Sequence, residues 1–195
     1  IWAVLTAEAE MDLDAHLGPM DSELAQWNYQ AFGYHDERLL TSEVSWKGAL
    51  EAFAEGYHFP FVHGNSVIGM NTLANTHVYD EFGVHHRIGF PFNWITQLEG
   101  TEPADNWDPV QQMGIIYWVY PNLILANSPV GVEVIDILPA DSATTCTVRH
   151  SWMARYPATT PEQTEMYDGI FAQVHAAVRD EDFTMLPQCG EGVRR

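Results

Sequence analysis

The sequence predicts one α+β domain in which helices precede and follow an antiparallel sheet. Apolar residues recur at helical spacing early in the chain, short β-rich stretches separated by turn signals fill the middle, and a well-capped amphipathic pattern closes it. A chain of 195 residues can bury one substantial core, and its length and spacing require no second domain. We therefore expect residues 1–195 to form a single domain.

The first third of the chain is predicted to be mainly helical. Ile1–Val4 has the apolar pattern of a strand, and Asp12–Ala31 follows with two short amphipathic helices broken by a Gly-Pro turn. Over Trp46–Tyr57 the apolar side chains share one helical face. Because Pro60 cannot continue a helix, we expect this helix to end near His58.

The chain from residue 67 onward is predicted to form an antiparallel meander, because β-rich stretches alternate with turn signals. Strands are expected at Asn75–Tyr79, His85–Phe90, Met113–Tyr120, Leu123–Ala126, Val132–Leu138 and Thr144–Trp152. The segment 101–109, with two prolines and three acids, is expected to be a loop. The last helix should be the longest, with Thr160 as N-cap and Pro161 in its first position.

Composition excludes partners more readily than it names them. The chain carries 27 acidic and 8 basic side chains, a formal net charge of -19, so nucleic acid and anionic membranes should be repelled. Cys146 and Cys189 form no disulfide framework and no zinc-ribbon pattern, which fits a reducing, cytoplasmic location. No apolar run approaches the roughly 20 residues of a membrane helix.

The candidate chemistry begins at the end of the first amphipathic helix. Glu55 and His58 are three residues apart and share a helical face, and His63 follows the break at Pro60. Since the helix stops there, the chain can fold back and bring both imidazoles to one metal ion. By spacing alone this His-x4-His pattern is a weak signal, and Glu55 has the alternative interpretation of an exposed helix-end acid.

The last helix supplies a third candidate ligand. Asp182 lies four residues after Val178 and continues its apolar face, whereas Asp180 and Glu181 are expected to point away. An ionised aspartate that faces a core is costly unless it is paired or bound to a metal, although a frayed helix end is the alternative. Two imidazoles and one carboxylate with open positions are the ligands of non-haem Fe(II) oxygenases. The remaining histidines are predicted to be surface or satisfied core residues that form no second cluster.

Two segments resemble the Rieske-type ring-hydroxylating oxygenase α-subunit. Residues 45–63, SWKGALEAFAEGYHFPFVH, match a family signature of Asn-Trp-Lys, Glu-Asn-Phe, Glu-x-Tyr-His and a second histidine, with Ser45 and Ala52 in place of the asparagines. Residues 178–183, VRDEDF, followed by a glutamine, resemble the family helix in which Glu-Asp supplies the carboxylate ligand. On this match Asp182 is the residue carried over.

The resemblance implies a helix-grip fold of the Bet v 1 or START type, with a curved antiparallel sheet around a long C-terminal helix. It implies that His58, His63 and Asp182 bind one Fe(II), which activates O2 for mono- or dioxygenation of an aromatic or other small apolar substrate. Candidates for the lining of the substrate cavity are Phe59, Met70, Trp118 and Met185.

The same resemblance implies partners. In the family an electron passes from the [2Fe–2S] cluster of a neighbouring subunit across a bridging acid to the iron, and Glu55 takes the position of that acid. A ferredoxin or reductase would feed the cluster, and the full-length protein would be a homotrimer. This chain has no Cys-x-His or Cys-x2-His sequence, so the cluster is expected in the full-length protein, outside this chain, which we expect to be truncated at both ends.

A rival hypothesis from another class is a non-catalytic module that binds a hydrophobic ligand, because the same fold encloses such ligands without a metal. A cupin-like metalloenzyme is disfavoured, since His58 and His63 follow a helix and do not alternate on a strand. Iron binding separates the oxygenase from the carrier.

Overall fold

A computed structural model describes residues 6, 8–73, 76–100 and 107–193, with side chains as far as Cys189. Seven strands form one antiparallel sheet in the order β1-β7-β6-β5-β4-β3-β2. They are β1 (Gly33–Ser42), β2 (Val78–Phe82), β3 (His85–Pro91), β4 (Met113–Val119), β5 (Leu123–Asn127), β6 (Gly131–Pro139) and β7 (Cys146–Ala154).

The helices precede, interrupt and follow the sheet. They are α1 (Leu13–Leu17), α2 (Pro19–Ala25), α3 (Trp46–Phe53), α4 (Phe59–Val62), α5 (Val67–Asn71), α6 (Pro109–Gln112), α7 (Pro161–Ala176) and α8 (Phe183–Val193). A π-helical turn, Ala177–Asp182, joins α7 to α8. Short 3-10 turns lie at Tyr29–Ala31 and Asn93–Leu98. No helix within the described ranges is both long and apolar enough to cross a membrane.

Both faces of the sheet are buried, as the alternating side chains of β6 show. Val132 packs in a cluster with residues of α1 and α2, among them Leu17 and Met20. Ile135 and Ile137 point to the opposite face and pack with residues of α3, the π-helical turn and α8. Because neighbouring residues of a strand face opposite sides, one strand supplies both layers of the core.

The C-terminal helix lies on the second of these faces. Tyr167 and Phe171 of α7 pack against Trp152 and Ala154 of β7. The Thr160 hydroxyl caps α7 by accepting a hydrogen bond from the Gln163 backbone N–H. A seven-stranded antiparallel sheet packed on a long C-terminal helix confirms the predicted α+β, helix-grip fold.

Five predicted strands are confirmed with small shifts at their ends, and part of the first, at Asn75, lies outside the described residues. The predicted strand at Ile1–Val4 and residues 101–106 of the predicted loop also lie outside them. Strand β1 was not predicted. It is an edge strand paired only with β7, so Asp36, Glu37 and Arg38 can reach solvent and its sequence lacks a clear apolar alternation.

The helix predicted to end near His58 ends earlier, at Phe53. The reason lies at Gly56, where a Cβ atom would stand 2.1 Å from Cε1 of Phe90. The backbone passes so close to this ring of β3 that only glycine fits. The irregular segment between α3 and α4 therefore follows from packing against the sheet, and Pro60 instead occupies the first turn of α4.

Candidate metal centre

The two predicted histidine ligands flank a very short helix. His58 lies immediately before α4, and His63 lies immediately after it. Because α4 has only 4 residues, the chain makes about one turn between the two histidines. Their Nε2 atoms are 3.2 Å apart, and both side chains are buried.

Asp182 reaches the histidines from the π-helical turn, with a side chain that is also buried. Its Oδ1 lies 3.1 Å from Nε2 of His63 and 3.5 Å from Nε2 of His58, yet it accepts no hydrogen bond of good geometry. One ligand atom from each of the three residues lies within 4.8 Å of the other two. The structure thus brings together the three predicted ligands, the one such group in the described part of the chain.

Two further acids hold the imidazole rings from behind. Glu55 forms a very short contact through Oε1 with Nδ1 of His58, while its Oε2 accepts the Tyr57 backbone N–H at 2.7 Å. Glu181 Oε2 lies 2.5 Å from Nδ1 of His63. A carboxylate can only accept, so each Nδ1 carries its hydrogen and each ring directs its Nε2 toward Asp182.

The acids around the junction favour a positive charge there. Burial works against the protonated form of His63, but the carboxylates of Asp182 and Glu181 outweigh it and raise the pKa of His63 above 6.5. Burial likewise works against ionised Asp182, but His58 and His63 outweigh it and lower the pKa of Asp182 below 3.8. A cation between these side chains is therefore stabilised.

Glu181 is the residue that sequence reasoning missed, because the prediction that it points away from the site is wrong. That prediction assumed 3.6 residues per turn. The helix widens to π geometry over Ala177–Asp182, so two successive residues, Glu181 and Asp182, both reach the histidines. Only the unbroken run of three acids at 180–182 could have drawn attention to Glu181 in the sequence.

Glu55 also faces a groove on the outside of the molecule, which we call the outer groove. It has a volume of about 790 Å³, and its lining includes Glu43, Glu51, Glu55, His58 and Met185. The Glu55 side chain is 35% exposed, and that of His58 is 10% exposed. Glu55 therefore connects a buried imidazole to the surface of the protein.

A second, inner cavity of about 390 Å³ lies between the sheet and the helices. Phe59 lines it and also contacts the metal centre, with its ring centroid 5.0 Å from that of His58 and 5.4 Å from that of His63. Three other residues predicted to line the cavity do not: Met70 is exposed, Trp118 packs against the core beside it, and Met185 lines the outer groove instead.

Two further buried histidines form a pair that the sequence did not predict. Nδ1 of His175 on α7 lies 3.2 Å from Nδ1 of His150 on β7. His150 Nε2 lies 2.9 Å from Oε2 of Glu133 on β6. Both are satisfied core residues, as predicted, and tertiary structure alone brings them together as a pair.

Comparison with solved structures relates the fold to known enzymes. A quaternary ammonium Rieske monooxygenase, solved with an inhibitor, has a TM-score of 0.72 and 14% identity over 96% of this chain and 48% of that chain. Naphthalene 1,2-dioxygenase with indole bound has a TM-score of 0.59 and 16% identity over 95% of this chain and 49% of that chain. Dicamba monooxygenase bound to dicamba has a TM-score of 0.55 and 11% identity over 94% of this chain and 53% of that chain. At these identities the likeness is one of fold.

This chain spans about half the length of the proteins that these structures represent. Comparison of the sequence with curated proteins gives no significant match. The family model that describes the ring hydroxylating alpha subunit (catalytic domain) matches residues 25–195, which include all three candidate ligands. The chain therefore belongs to the catalytic-domain family of the ring hydroxylating alpha subunit.

Proposed function

We propose that this chain is the catalytic domain of a Rieske-type non-haem iron oxygenase. It hydroxylates a small organic substrate with O2 at one mononuclear Fe(II) held by His58, His63 and Asp182. The observation that carries the proposal is the junction of three buried ligand atoms within 4.8 Å of one another. Membership of the ring hydroxylating family supports it.

The donor set suits a divalent ion better than it suits an empty core. With each Nδ1 hydrogen given to Glu55 or Glu181, two lone pairs and one carboxylate oxygen face each other whenever neither Nε2 is protonated. Such an arrangement is repulsive without a cation, and a buried acceptor without a partner costs roughly 1–3 kcal/mol. Two imidazoles and one carboxylate with open positions match the preference of Fe(II) in oxygenases.

Bound Fe(II) supplies the centre at which O2 is reduced. The chain's own contribution is to fix the ligands and exclude water. Glu55 and Glu181 hold each ring in the tautomer that presents Nε2, and such partners of metal-bound histidines raise their basicity. Phe59 separates the histidines from the inner cavity, so a substrate in that cavity lies against an apolar wall next to the metal centre.

Electrons must come from outside this chain, because neither of its two cysteines lies in a Cys-x-His or Cys-x2-His sequence that could bind a Rieske cluster. We propose that a cluster-bearing domain of a neighbouring subunit docks at the outer groove, where Glu55 links it to His58. A ferredoxin or reductase recharges the cluster, and the full-length protein is a homotrimer. The quaternary ammonium Rieske monooxygenase, for which inter-subunit electron transfer is described, supports this arrangement.

The proposal is tested by loading the protein with Fe(II) under anaerobic conditions and measuring the metal content. We expect about one iron per chain, and none in His58→Ala. His86→Ala is the matched control, because His86 lies on β3 and contacts Tyr79 and Trp118 instead of the metal centre. A non-catalytic carrier would bind no iron in any of the three proteins, and that result would overturn the proposal.

A further inference from the structure

The inner cavity holds one charged side chain in apolar surroundings. Its lining is dominated by aliphatic and aromatic groups, with a few small polar side chains and the carboxylate of Glu133. No lysine, arginine or histidine is among the described residues that line it. Because a carboxylate in an apolar cavity is costly unless it is paired, Glu133 calls for a physical reason.

The fold points Glu133 into the cavity. It lies on β6 two residues before Ile135 and therefore on the same face of the sheet, opposite Trp152 of β7. Its Oε2 accepts a hydrogen bond from His150, at 2.9 Å. Oε1 has no hydrogen-bond partner among the described residues, and the side chain is 20% exposed. One carboxylate oxygen is thus available to a molecule in the cavity.

Two buried histidines stand behind Glu133. Burial, together with the nearby His150, Arg38 and Arg179, lowers the pKa of His175 to about 4, so this ring is neutral near pH 7. Nε2 of His150 donates to Oε2 of Glu133, and Nδ1 of His150 is hydrogen-bonded to Nδ1 of His175. These hydrogen bonds orient the carboxylate and leave its Oε1 for a molecule in the cavity.

The rest of the cavity suits a cation. Five aromatic side chains line it, and aromatic faces attract cations: Phe59, Phe90, Phe92, Trp94 and Trp152. The net charge of -19 raises the local concentration of cations around the protein and lowers that of anions.

We propose that the inner cavity takes a small organic ammonium ion, a protonated amine on an aromatic or aliphatic body, whose N–H donates to Oε1 of Glu133. The body of the molecule then extends along the aromatic lining toward Phe59 and the metal centre. This inference rests on the proposed oxygenase function, because it treats the cavity as the substrate site, and it narrows the substrate class to amines.

Three probes that share a phenylethyl body test the charge preference: 2-phenylethylamine, the neutral 2-phenylethanol and the anionic 3-phenylpropanoate. Binding is measured calorimetrically on the Fe(II)-loaded, anaerobic protein and checked through the fluorescence of Trp94 and Trp152, which line the cavity. A hydrogen bond to a charged group predicts that the amine binds about tenfold to a hundredfold more tightly than the alcohol, and that the anion binds most weakly.

Glu133→Gln keeps an acceptor for His150 but removes the charge, so it should abolish the preference for the amine. Asp136→Asn is the matched control, because Asp136 lies on the same strand, faces the other way and pairs with Arg149 at the surface. Thermal unfolding checks that both variants fold. The order of affinities of the three probes for the unmodified protein tests the charge preference without any variant.

Equal affinities for the three probes, or a preference that survives in folded Glu133→Gln, overturn the inference. Iron content, measured on the same samples, keeps the two proposals apart. A protein that binds iron but shows no preference for the amine contradicts only the substrate class, whereas a protein without iron contradicts the oxygenase function itself.

Discussion

The protein contains two buried pairs of imidazoles with the same spacing and opposite electrostatics. Nε2 of His58 and Nε2 of His63 lie 3.2 Å apart, and so do Nδ1 of His150 and Nδ1 of His175. Yet the pKa of His63 is raised, while burial and neighbouring positive groups lower that of His175 to about 4. The spacing between the two rings therefore does not decide whether a histidine pair can bind a cation.

The number and position of carboxylates decide it. Glu55, Glu181 and Asp182 surround the first pair, and Asp182 lies where both lone pairs point. The second pair has a single acid, Glu133, at its far end, and its two rings can satisfy each other by one hydrogen bond. The first arrangement needs a cation at its centre, whereas the second is satisfied by hydrogen bonds among its own side chains.

Removal of the central acid should have the largest effect. In Asp182→Asn the junction loses its negative charge and keeps only a weakly binding amide oxygen, so we expect Fe(II) affinity to fall by more than about a hundredfold. Anaerobic titration with Fe(II) measures this change, and Glu133→Gln serves as the control at the other histidine pair. If the two variants bind iron equally well, the carboxylates do not decide which of the two histidine pairs holds a cation.

Removal of a supporting acid should have a smaller effect. Glu181→Gln weakens the hold on Nδ1 of His63 without removing a ligand, which predicts a loss of about tenfold to a hundredfold in Fe(II) affinity. Asp180→Asn is a matched control, since Asp180 is the preceding acid and pairs with Arg179 at the surface. Equal titration curves for these two variants would show that Glu181 does not support the metal centre.

The parts of the site that the sequence predicted depend on local signals. Pro60 breaks the helical pattern between His58 and His63, and Asp182 continues an apolar face of the last helix where an acid is costly. The same kind of signal, alternation between turns, located five strands of the sheet. Local patterns and elementary energetics were sufficient for these elements.

The parts that were not predicted depend on geometry that local patterns do not carry. Glu181 reaches His63 only because the helix widens to π geometry, which has no signature in a 3.6-residue period. His150 and His175 come from a strand and a helix that meet only in the folded chain. Strand β1 could not be predicted from apolar alternation, because it lies at the edge of the sheet, where its charged residues need no apolar partner on the open side.

His175 should also affect the pH dependence of stability. The pKa of His175 is lowered to about 4 in the folded protein, against 6.5 as its ordinary value, so the unfolded chain binds a proton first as pH falls. The corresponding stability is fully present above pH 6.5 and is lost as pH falls toward 4. For this buried ring the loss between about pH 7 and about pH 5.5 is on the order of 1 kcal/mol.

His175→Gln keeps a polar side chain at this position but cannot titrate, so its free energy of unfolding should fall less steeply than that of the unmodified protein over the same range. Urea unfolding of the two iron-free proteins at several pH values measures the difference between their slopes. Parallel slopes would mean that His175 does not stay neutral in the folded state.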